Sequence, residues 1–185
     1  MYYPDSASAP PTVAVNVLNR THSITAQVEI PTGGAEGVLL SHGSSSGGYT
    51  LFLQHNPLHY VHNYVGVEEL YVGSTDDVPE GSVELRFEFE PAGPPDIPRG
   101  RGTPGRARLF INRMLVGQAD FPPTIPLGIS LGEGLMCGRD SGASVTSRYR
   151  APFPFTGTIH SVTVDVSGEK VEDKEAQFRI AMARQ

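Results

Sequence analysis

Histidine serves both as a metal ligand and as a proton carrier near neutral pH. Three of the 6 histidines in this chain fall in one short run, LQHNPLHYVHNYVG at 53–66, which holds His55, His59 and His62 beside Tyr60 and Tyr64. Three chemistries suit such a run: zinc ligation, general base catalysis, and a sugar platform in which tyrosine rings stack on CH faces while His and Asn bond hydroxyls. The spacing sorts them. Asn56-Pro57 reads as a turn, so His55 and His59 lie on opposite arms of a hairpin, where cross-strand neighbours approach to about 5 Å. His62 is three positions from His59 and points to the opposite strand face. Zinc would want a third ligand on the same side. Asp76, Asp77 or His42 could supply it, but no spacing marks one of them. A general base would need a partner nucleophile, and none is marked.

The tyrosines fit the run better. Leu58, Tyr60, His62 and Tyr64 share one strand face, and His59, Val61 and Asn63 the other. One face must enter the core, where Tyr49 and Tyr71 could join Tyr60 and Tyr64 as core-edge aromatics. The candidate ligand or interdomain surface is therefore Tyr60, His62, Tyr64, His55 and His59. The competing reading buries it against a neighbouring domain, and the lack of any tryptophan weakens a sugar platform.

The elements that must position these residues read as strands. SITAQVEI sends Ile24, Ala26, Val28 and Ile30 one way, SVELRFEFE sends Val83, Leu85, Phe87 and Phe89, and GRARLFIN sends Ala107, Leu109 and Ile111. GTIHSVTVDV offers Ile159, then Val162, Val164 and Val166 after a change of phase, which predicts a bulge near Ser161. EGVLLSHG and YTLFLQH are continuously apolar and read as central strands. FINRMLVGQADF reads as two strands about a tight turn at Asn112-Arg113. With 21 glycines and 16 prolines in 185 residues, about ten short antiparallel strands predict an all-β, two-sheet antiparallel β-sandwich in one domain. The expected layout is a linker over 1–11, the sandwich over 12–167, and a tail over 168–185 whose helix formers run from acidic to basic, as a helix dipole favours.

Other features narrow the function classes. A net charge of -6 gives no reason to expect nucleic acid. No apolar run reaches the ~18 residues of a membrane span, and MYYPDSASAPPT lacks the pattern of a signal peptide. The Pro/Gly-rich stretch 91–106 reads as a mobile hairpin loop, or as a docking loop in which Arg99 and Arg101, with Arg106, meet carboxylate or sulfate. GRDSG at 138–142 reads as a tight turn with Arg139 and Asp140 paired. Asp140 is the one calcium candidate, and one carboxylate is too few. The single cysteine, Cys137, reads as a buried small hydrophobe at a strand end.

The blocks NRTHSITAQVEIPTGGAEGVLLSHG, GGYTLFLQHNPLHYVHNYVG, GRDSG and PFPFTGTIHSVTVDV, with the ending IAMARQ, resemble in order the C-terminal domain of bacterial type I arylsulfatases. The resemblance covers nearly all of the chain and diverges most at 91–106. It implies a concanavalin A-like or laminin-G-like sandwich (jelly-roll type) that follows a larger catalytic domain. Enzymes of that family use a Cys or Ser in Cys-x-Pro/Ala/Ser-x-Arg, converted to formylglycine, beside a divalent metal. Here Arg139 stands two residues after Cys137 and position 141 is Ser, so that signature is absent. No catalytic, cofactor or metal residue is carried over, and no cofactor is expected in this chain. The expected role is a noncatalytic accessory domain whose partner is a sulfatase catalytic domain or another protomer. It would present one apolar, uncovered face. The alternative is a free-standing carbohydrate-binding module.

Overall fold

Alternation becomes strand wherever turn residues bound it. The computed structural model describes residues 1–4, 6–129, 133–140 and 142–168. Its strands are β1 (His22–Ile30), β2 (Gly37–Ser44), β3 (Gly47–Leu53), β4 (Pro57–Tyr64), β5 (Glu68–Asp77), β6 (Gly81–Pro91), β7 (Gly105–Ile111), β8 (Met114–Phe121), β9 (Leu135–Cys137) and β10 (Thr158–Asp165). A single 3-10 turn, Ile97–Arg99, is the one helical element among the described residues. The chain is all-β, with two antiparallel five-stranded sheets packed as a sandwich. One sheet has the order β10-β1-β6-β7-β8 and is called the β1 sheet. The other, the β3 sheet, has the order β5-β4-β3-β2-β9.

The inward rows meet as their alternation requires. Ile24, Ala26, Leu85, Phe87, Ala107 and Leu109 from the β1 sheet are fully buried with Leu39, Leu40, Leu51, Leu53 and Leu58 from the β3 sheet. Tyr60 lies in this layer with its ring parallel to Phe87, centroids 3.5 Å apart. β2 and β3 are buried along their whole length, as strands covered on both faces are.

Local chemistry explains the junctions. β3 and β4 are joined through His55 and Asn56, both at positive φ (55° and 80°), and Asn112 and Arg113 repeat this between β7 and β8 (47° and 70°). Two successive left-handed residues match the twist of a two-residue hairpin. The predicted bulge appears where Gln27 pairs with Ser161 and Val28 with Ile159, leaving His160 as the extra residue.

The two sides of the sandwich close differently. At β5 and β8 the backbones nearly touch: a Cβ on Gly117 would collide with the Gly73 carbonyl, and Thr75 Oγ1 donates to Val116 O at 3.1 Å. At the β9 and β10 side, the 1–11 segment expected to be a linker lies against the fold. Tyr2 pairs with Val162 of β10 (2.7 and 2.9 Å), and Ala9 pairs with Leu135 of β9 (2.9 and 2.8 Å). The Arg-bearing loop after β6 is pinned: Asp96 N and Arg101 N bond each other's chain at 2.8 and 2.9 Å, and Gly102 N donates to Thr124 O at 2.8 Å. The expected helical tail lies, apart from Gly168, outside the described residues.

Candidate functional site

The residues chosen from the sequence divide by strand face. Tyr60 and His62 are withdrawn from the candidate surface because both point between the sheets, exposed by 1% and 5%. His62 Nε2 accepts the Ile125 N–H at 3.0 Å. Burial pushes its imidazole down to about 3, with His22 adding to the effect. Tyr64 is half-buried at the strand end, and its hydroxyl donates to Gly100 O at 2.5 Å, which ties β4 to the arginine loop. His55 is exposed at the turn. The cross-strand partner of His59 is Phe52, not His55, because His55 belongs to the turn itself. His59 Nδ1 lies 2.9 Å from Tyr71 Oη, and Nε2 3.2 Å from Gln54 O. Arg99 pairs with Asp96 at 3.2 Å, and Arg101 is exposed. Among the described residues no three His, Cys, Asp or Glu side chains gather as a metal site.

The outer face of the β3 sheet is apolar and already roofed. Val38, Phe52 and Val61 form a second buried cluster with Tyr149, and Tyr71 and Phe153 pack against it. The Tyr149 and Phe52 rings meet edge-on at 5.0 Å. The covering segment is bolted down by Val38 N to Phe153 O (3.0 Å) and Gln54 Nε2 to Arg148 O (3.2 Å). The Arg148 guanidinium sits 3.7 Å above the Tyr71 ring. Asp140, 1% exposed, is part of this roof: its Oδ2 accepts Tyr149 Oη at 2.7 Å and Val145 N at 3.1 Å. Burial pushes its carboxyl up, against those two hydrogen bonds. The carboxylate is a structural acceptor in the roof. Cys137 is buried, and burial pushes its thiol up to about 11.

The outer face of the β1 sheet is polar. Register places Asp165, Ser23, Glu88 and Arg108 in one row across β10, β1, β6 and β7. Thr163, Thr25 and Arg86 form the next. Arg86 Nη2 holds Glu88 Oε1 at 2.6 Å, Arg108 Nη2 holds Glu90 Oε2 at 2.9 Å, and Arg106 forks onto Asp120 at 2.8 and 3.3 Å. Such pairs add little stability in water, but they hold donors and acceptors in fixed alternation. A cleft of about 310 Å³ opens here, lined by Ser23, Arg86, Glu88, Glu90, Arg108 and Asp165 among others. Two of its lining residues carry nitrogens without partners among the described residues: Arg86 Nε and His22 Nε2. His22 is 7% exposed, and burial lowers its imidazole to about 4.

Sequence reasoning passed over this face. Its signal is the outward set of SVELRFEFE, where Glu84, Arg86, Glu88 and Glu90 are all charged. Charged residues are also what any solvated strand face carries, so the pattern alone does not single it out.

No family model matches the sequence, and no curated protein matches it. Solved structures match the fold. The chain is similar to domains LG4-5 of the mouse laminin α1 chain: TM-score 0.57, 14% identity, covering 85% of this chain and 39% of that one. It is also similar to the CBM40 domain of the Ruminococcus gnavus IT-sialidase bound to α2,3-sialyllactose: TM-score 0.56, 15% identity, 85% and 80% covered. A second structure of that CBM40 gives a TM-score of 0.51 at 12% identity, with 89% and 83% covered. The architecture is thus a laminin-G-like, concanavalin-like β-sandwich. Nothing in these comparisons links the chain to sulfatases.

Proposed function

We propose that this chain is a noncatalytic carbohydrate-binding module whose sugar site is the cleft on the outer face of the β1 sheet. The observation that carries the reading is the array of Arg86, Glu88, Glu90 and Arg108, with Ser23 and Asp165 beside it, which no described residue roofs. Carboxylates accept from sugar hydroxyls and guanidiniums donate to them. Charge-assisted bonds of this kind are stronger than neutral ones. The cleft's volume lies at the small end of the range for ligand sites. The likeness to a CBM40 solved with sialyllactose supports a glycan as the ligand class. A glycan array tests the reading. Wild-type protein is expected to bind a defined subset, and Arg108→Ala with Glu88→Gln to lose it. Binding to no glycan sinks the proposal.

A second reading, an accessory domain of an arylsulfatase, is favoured by the sequence blocks named above. Its parent would hydrolyse sulfate esters, and this chain would brace the catalytic domain or another protomer. One expectation of that reading is unmet among the described residues: the apolar outer face is covered by the chain's own residues, and the face they leave uncovered is polar. This chain is expected to give no turnover of a chromogenic aryl sulfate above a buffer blank. Its docking role requires an upstream reading frame that carries Cys/Ser-x-Pro/Ala/Ser-x-Arg.

A further inference from the structure

A second cleft, of about 480 Å³, lies away from the polar face, between the 10–18 segment, the end of β2 and the turn at 128–129. Its walls include Pro10, Pro11, Ala14, Val15, Leu18 and Ile129. His42 also lines it. His42 is 4% exposed, and neither ring nitrogen has a hydrogen-bond partner among the described residues. Its ring meets Tyr49 edge-on, centroids 5.6 Å apart, and the fully buried Tyr49 hydroxyl also has no partner. Three polar atoms of one contacting pair are therefore left unsatisfied, and the two on His42 belong to a residue that lines the cleft. Buried polar groups are paired in the great majority of cases, and an orphan calls for a missing partner.

We propose that this cleft binds a small apolar molecule, about two fused rings in size, that carries one hydroxyl directed at His42. The volume admits such a body, and apolar walls dominate such sites. Thr12 and Asn16 also line the cleft but are exposed to water, so its buried polar capacity is that of His42, which argues for one buried polar group on the ligand. A neutral imidazole offers one donor and one acceptor, the complement of a hydroxyl. A charged group would lose its hydration without a counter-ion. The site is independent of the glycan reading, since it shares no lining residue with the β1-sheet cleft.

Equilibrium dialysis with 2-naphthol and with naphthalene tests this. Wild-type protein is expected to bind 2-naphthol saturably and about tenfold more tightly than naphthalene, the factor one good hydrogen bond supplies. Ala14→Trp fills the cleft and is expected to abolish binding of both probes. His42→Phe is expected to erase the preference for the hydroxyl. Circular dichroism checks that each variant is folded. If His42→Phe does not fold, the two probes on wild-type protein and Ala14→Trp still decide. The proposal is overturned by absent or non-saturable 2-naphthol binding, by equal affinity for the two probes, or by unchanged binding in folded Ala14→Trp.

Discussion

On the β3 sheet the outward side chains Val38, Phe52 and Val61 lie beneath Tyr149. On the β1 sheet the outward side chains Thr25, Arg86, Glu88 and Arg108 include two arginines 42% and 30% exposed. The strands of both sheets alternate inside and outside, yet among the described residues one outer face became a second small core and the other has no roof. The difference lies in residue type. Apolar outward positions lower the free energy only if something covers them, at about 25 cal/mol per Å² removed from water. The segment carrying Tyr149 and Phe153 does so. Charged outward positions would lose hydration under a roof, so a face of Arg and Glu remains open to a polar ligand. A covered face is a matter of stability, and an open polar face is where binding can be sought.

The largest test of this contrast is to remove the roof. Tyr149→Ala uncovers Phe52 and Val61 and leaves Asp140 without its hydroxyl donor. Loss of a buried aromatic costs about 3–5 kcal/mol, read as a lower urea midpoint together with new binding of an apolar dye. Unchanged stability would mean that the roof is decorative.

Acid should act on the layer between the two faces. His22 and His62 are held neutral by burial, at about 4 and about 3 against an ordinary 6.5. The unfolded chain therefore takes up protons first as pH falls below about 6.5. Stability is expected to be flat above pH 7 and to fall from about pH 6.5 toward pH 4. It levels out for these two groups below about 3. The shift at His22 alone corresponds to roughly 3 kcal/mol. Asp140, whose carboxyl is raised, works in the opposite direction and offsets part of the loss. Urea titrations at pH 7, 5.5 and 4 measure the slope, and a midpoint independent of pH would contradict the burial of these imidazoles. A His62→Gln variant is expected to make the curve shallower, since His22 still titrates.

A smaller effect is expected at the roof's acceptor. Asp140→Ala strands the Val145 N–H and leaves the Tyr149 hydroxyl only Thr50 Oγ1 as a partner, a loss of about 1–3 kcal/mol. The smallest is expected on the open face. Arg108→Ala should change stability by less than about 1 kcal/mol while removing glycan binding. If it instead destabilises as Tyr149→Ala does, the open face is structural after all.

How much of this was legible in the sequence depends on the range of the forces involved. The inward rows of β1, β6 and β7, the Asn112-Arg113 turn and the bulge beside Ser161 follow from period-two alternation and local backbone preference. These act within a few residues. The two-sheet sandwich follows from there being many short strands and little helix pattern before residue 168. The same local rules showed that Tyr60 and His62 share a face, but not which face is inward. That depended on β6 lying opposite β4, so that Phe87 stacks on Tyr60. The covering of Val61 by Tyr149, 88 residues later in the chain, is likewise a tertiary fact. So is the assembly of Ser23, Glu88, Arg108 and Asp165 into one row from four strands. The sequence by itself determined the strands, their turns and the side chains each strand offers to its two faces, because those are local. Only the tertiary structure decided which face would be roofed, which left open, and which polar atoms left without partners, because those depend on residues far apart in the chain.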